Sequence, residues 1–206
     1  MKTIVFRIVV CIAAIAFCSS HLSAQVVYDE AVDGELSGDN TNPTDLLIFD
    51  VGVNTVAGTV VDATGATPNV DVFTFDIAAG TQLDGIFLNV FDSGDDLAFF
   101  GIDDSNSFPF NAGELGNSPD DDQFIGGLLF GEQVGVNLLP SIGNGNIGSG
   151  FSGPLGEGEY TVYLQQLGGT TVDYEFGFSV AVPEPGSGIV LILAMAGLVT
   201  RRRRRQ

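Results

Sequence analysis

Apolar and polar residues alternate along much of this chain. From Thr171 to Val180 the apolar positions are Val172, Tyr174, Phe176, Phe178 and Val180, with Thr171, Asp173, Glu175 and Ser179 on the other side. A period of two marks a half-buried strand. Glu159 to Leu167 repeats it, with Tyr160, Val162 and Leu164 inward and Thr161, Tyr163 and Gln165 outward. Gly168-Gly169 between these runs predicts a hairpin. Further strands are predicted over 46–51, 55–61, 70–77, 85–91, 97–102, 124–130 and 133–138, with Gly, Asn, Asp and Pro punctuating the gaps. No stretch between Gln25 and Ala181 shows a sustained helical stripe with caps. About nine strands at this spacing predict an all-β fold, an antiparallel β-sandwich. Sixteen Phe can fill its core without any Trp. Residues 106–153 are rich in Gly, Asn, Ser and Asp and read as long loops, a place for motion or for a binding surface.

The two ends break this pattern. Lys2 and Arg7 precede the apolar run Ile8 to Phe17, and Leu22-Ser23-Ala24 closes a small, polar stretch. That layout predicts a secretory signal peptide over residues 1–24, read by the Sec translocon and cleaved before Gln25. The run is too short for a lasting membrane span. A lipoprotein at Cys18 is the weaker reading, because Phe17 stands where a small residue is wanted.

Removing that segment alters the chemistry available. It carries both cysteines, Cys11 and Cys18, and the single histidine, His21. No Lys or Arg occurs from Ile8 to Thr200, whereas all 26 acidic residues lie between Asp29 and Glu184. The expected body, 25–181, therefore holds every carboxylate but one and no basic side chain. Nucleic-acid binding through Lys and Arg on phosphates is excluded. So are Ser-His-Asp and Cys-His nucleophile systems, Cys/His zinc sites and disulfides. Carboxylates, hydroxyls, amides and backbone groups remain, a ligand set suited to hard cations such as Ca²⁺.

At the C-terminus, Val182, Pro183, Glu184 and Pro185 precede an apolar stretch, Ile189 to Val199, and then Arg201, Arg202, Arg203, Arg204 and Arg205. The prolines keep the first part extended and out of any sheet interior. Arginines resist translocation and hold their end in the cytoplasm. From Gly186 to Thr200 there are 15 residues, roughly 22 Å of helix at 1.5 Å per residue. Such a short transmembrane helix suits a temporary hold better than a lasting anchor. A plain tail anchor would have much the same composition; the proline-flanked glutamate favours the sorting reading. These three parts in this order resemble the PEP-CTERM sorting signal over residues 182–206. The resemblance implies recognition by an exosortase-like processing enzyme in the membrane of a Gram-negative, exopolysaccharide-producing bacterium. It further implies a membrane-held precursor, then delivery to the cell surface or extracellular matrix.

Within the body, Val70-Asp71-Val72-Phe73-Thr74-Phe75, Ala79-Gly80-Thr81 and Gly158-Glu159-Tyr160-Thr161-Val162-Tyr163 are similar to bacterial pre-peptidase C-terminal domains. That likeness implies a jelly-roll-like binding or spacer module and carries no enzymatic role. Three acidic groups stand out: Asp92, Asp95 and Asp96; Asp103 and Asp104; and Asp120, Asp121 and Asp122. The first two flank one predicted strand and so lie at its opposite ends. One of these groups, with backbone carbonyls, is a candidate Ca²⁺ site, although the spacing is not that of an EF-hand. Solvated turn carboxylates are the simpler reading.

The function these residues imply is non-enzymatic: an exported structural or adhesive module, with extracellular polysaccharide as a candidate partner. A calcium-dependent carbohydrate-binding module is the alternative. A glycoside hydrolase using two carboxylates is the third.

Overall fold

The computed structural model describes residues 24–61, 69–94, 98–110, 123–131 and 133–183. Several expectations lie outside them: the signal segment up to Ser23, Asp95, Asp96, Asp120, Asp121, Asp122, Glu184, Pro185, and the apolar tail with Arg201–Arg205. Among the described residues, no helix is long and apolar enough to cross a membrane.

The strands are β1 (Ala24–Asp29), β2 (Thr44–Phe49), β3 (Gly52–Val61), β4 (Val70–Ile77), β5 (Gln82–Ser93), β6 (Ala98–Asp103), β7 (Gly126–Phe130), β8 (Gly158–Gln166) and β9 (Thr171–Ala181). They form two packed sheets, β1-β3-β9-β5 and β2-β4-β8-β6-β7. From β1 to β6 the chain changes sheet at every step. Strands β1 and β3 therefore run the same way and pair in parallel, as do β2 and β4. The remaining pairs are antiparallel. The wholly antiparallel expectation is corrected at these two edges.

The predicted hairpin at Gly168-Gly169 is corrected too. Strand β8 pairs with β4 and β6, and β9 with β3 and β5, so the turn carries the chain from one sheet to the other. Both runs point their apolar faces at the same interior, and a hairpin would have placed those faces side by side. The shared core takes Tyr160, Val162 and Leu164 from β8 and Val172, Tyr174, Phe176, Phe178 and Val180 from β9. Phe49 stacks on Phe75 with ring centroids 4.4 Å apart, and Phe178 meets both rings. Such ring pairs add to the area they bury.

Thr161, Tyr163 and Gln165 were expected to face outward, yet all three are buried. A second apolar layer covers that face, built from Val70, Val72, Phe99, Phe108, Phe110, Phe124 and Tyr163. Phe108 stacks on Tyr163 at 4.8 Å. Gly101 makes this possible, since a Cβ there would stand 2.5 Å from the Phe108 ring. Part of the Gly-rich region thus packs down as a lid on the five-stranded sheet.

The strand predicted over 133–138 is absent. Gly135 takes φ 79° and breaks the extension. The segment instead runs along β5, with Gly135 N donating to Leu88 O and Leu138 N to Ile86 O. It covers an edge that would otherwise expose unpaired backbone groups. Strand β1, which the pattern did not single out, joins the other end of that sheet.

Candidate functional site

Strand β4 places Asp71, Phe73, Phe75 and Ile77 on one face, and that face is the sandwich interior. Asp71 is fully buried. Its Oδ2 accepts a hydrogen bond from the Tyr174 hydroxyl of β9 at 2.7 Å, and its Oδ1 accepts none. Gly58 on β3 pairs directly with Tyr174. A Cβ at Gly58 would stand 2.5 Å from the Tyr174 hydroxyl and 2.7 Å from Glu30 Oε2, so only glycine leaves this corner open.

Two glutamates approach from the chain after β1. A single helical turn, Glu30–Asp33, is capped by Asp29, which accepts from Ala31 N at 3.0 Å. Gly34 follows at φ 101°, a left-handed conformation that costs glycine nothing. The reversal brings Leu36 into the core and Leu36 N to within 2.7 Å of Glu30 Oε1. Glu30 Oε2 accepts from Thr59 N, also at 2.7 Å. Ser37 then bridges to Val72 of β4, which draws Glu35 beside Asp71. Glu35 accepts from the Asn69 side-chain amide at 2.7 Å. One carboxylate oxygen from each of Glu30, Glu35 and Asp71 lies within 4.8 Å of the other two.

Among the described residues, no basic group offsets this charge. Burial, then the Glu30 carboxylate, push Asp71 up to about 8, against the lowering effect of the Tyr174 bond. Glu30 is also raised, chiefly by burial, while its bonds from Leu36 and Thr59 pull the other way. Tyr174 is raised well above its ordinary value by burial and by Asp71.

The other candidate carboxylates among the described residues sit elsewhere. Asp92 is exposed near the end of β5, opposite Asp173 of β9. Asp103, at the end of β6, is buried and accepts from Ser105 Oγ at 2.6 Å, while Asp104 is exposed. Asp103 is raised mainly by burial, opposed by Ser105 and by the Asp104 and Ile125 amides. Among the described residues, the cluster of three or more potential metal ligands is Glu30, Glu35 and Asp71. Local runs of Asp pointed away from it. The available clue was an Asp on the core parity of β4.

A scan against protein-family models finds no match. A search of curated proteins finds none either.

An open cleft of about 360 Å³ lies within the Gly-rich region, lined by Leu129, Gln133, Val136, Asn144, Asn146 and Ile147 among others. The polar side chains among its described lining residues are amides and a hydroxyl, which offer hydrogen bonds.

Proposed function

We propose that this chain is an exported, non-enzymatic protein, passed by its C-terminal segment to an exosortase-like enzyme and delivered to the cell surface or exopolysaccharide matrix. Its body serves there as a structural or adhesive module of jelly-roll-like form. The observation that carries the reading is the sequence order of prolines and glutamate, apolar run and arginines at the point where the sandwich ends. Strand β9 stops at Ala181, and Val182 is 61 % exposed, with Pro183 exposed beside it. A processing enzyme can meet an extended segment there without unfolding a sheet. Val182, Pro183, Glu184 and Pro185 are the recognition residues in this reading, and Arg201–Arg205 hold the precursor in the membrane.

The burial of Asp71 favours a non-enzymatic body. Acid and base carboxylates of a glycosidase must admit a sugar between them, and Asp71 has no exposed surface. The amide-lined cleft favours the carbohydrate-binding alternative, which a polysaccharide pull-down with and without calcium would separate from a spacer.

The test is a double substitution, Pro183→Ala with Pro185→Ala, in the native host. The expected outcome is accumulation of full-length, membrane-held precursor on immunoblots of cell fractions. Release indistinguishable from wild type overturns the reading.

A further inference from the structure

We propose that Glu30, Glu35 and Asp71 bind one divalent cation of the Ca²⁺ class, which clamps the segment after β1 onto both sheets of the sandwich. Three acidic residues alone would not justify this. The deciding observation is Asp71 Oδ1, fully buried, accepting no hydrogen bond, and belonging to a carboxylate that lies against two others. A buried acceptor left in that state is costly, and two further carboxylates beside it multiply the repulsion. A divalent cation removes both penalties at once.

The spacing admits a hard cation. The three carboxylate oxygens fall within 4.8 Å of one another, close enough for one ion to bind all three. Ca²⁺ accepts irregular oxygen sets at roughly 2.3–2.6 Å, whereas Mg²⁺ demands near-octahedral order at about 2.0–2.1 Å and dehydrates reluctantly. The ligands are also held in advance. Leu36 N and Thr59 N fix Glu30, Asn69 holds Glu35, and the Tyr174 hydroxyl orients Asp71. Water supplies the remaining ligands on the exposed Glu35 side.

The inference rests on the body alone and does not depend on how the C-terminal tail is processed.

The experiment is calcium titration of the full chain in detergent by calorimetry, with melting followed by circular dichroism. One Ca²⁺ per chain is expected, with a melting point that rises with calcium, and weaker binding of Mg²⁺. Glu35→Gln, at an exposed position, and Asp71→Asn should each weaken binding by about tenfold or more, the scale that even outer-shell changes reach. Terbium gives an independent readout, since the chain has no Trp and any sensitised emission must come from tyrosine. Tyr174→Phe and Tyr28→Phe should each lower that emission, since both hydroxyls lie near the three carboxylates. Calcium-independent melting of the wild type overturns the proposal. So does calcium binding unchanged by Glu35→Gln, since the ion then sits elsewhere. Should Asp71→Asn fail to fold, the Glu35→Gln result decides.

Discussion

Asp71 has a pH dependence opposite in sign to that of an ordinary paired carboxylate. Its value is 3.8 in the unfolded reference and about 8 in the fold. Between these limits the folded protein keeps a proton that the unfolded chain releases. Its contribution to stability is therefore complete below pH of about 4, falls as pH rises, and is gone above about 8. Urea midpoints measured across that window without divalent cations should decline with rising pH. Asp71→Asn should flatten the decline and, near pH 8, stabilise the protein by on the order of a few kcal/mol. A wild type that gains stability across the same window would contradict the assignment. Gly58→Ala belongs to the same corner. Its methyl group has no room beside Tyr174 and Glu30, so a loss of about 1–3 kcal/mol is expected from denaturation curves.

Strands β4, β6 and β8 are buried on both faces, which simple alternation does not anticipate. Reading β8 as one inward and one outward face was right for Tyr160, Val162 and Leu164, whereas Tyr163 packs under Phe108. The clue lay in the aromatic residues scattered through a Gly-rich stretch. Phe108, Phe110 and Phe124 are too apolar to be left in solvent, and an outer sheet face is the surface available to cover them. Phe108→Ala should cost about 3–5 kcal/mol, the range for a buried aromatic, read as a shift in the unfolding midpoint. A cost near zero would mean that this layer adds nothing to the fold. The segment 133–138 teaches the same lesson in reverse. Its alternation is real, yet Gly135 turns it into a cover for the edge of β5.

At the scale of the whole molecule, the net charge of −19 has almost no internal compensation. Basic side chains are absent from the body, so its charges repel one another throughout. Screening lengths shorten to about 3 Å at 1 M salt, so sodium chloride should raise the melting temperature steadily. Calcium acting through a defined site should do so at far lower concentration and saturate. A fall in melting temperature with added sodium chloride would show that repulsion is not the governing term.

Local pattern determined the strand-rich class, most strand positions, the aromatic core and the absence of cysteine, histidine and cationic side chains from residues 25–181, because each depends on residue type and short-range period. The proposed sorting tail, likewise, is readable only as a string of residues. Sheet partnership was decided by tertiary structure. Two strands with matching apolar faces can pair edge to edge or face each other across a core, and their sequences are the same either way. The acidic site was decided there too. Glu30 and Glu35 meet Asp71 only because a one-turn helix, a left-handed glycine and a bridge to β4 fold the chain back, and no spacing along the sequence records that meeting.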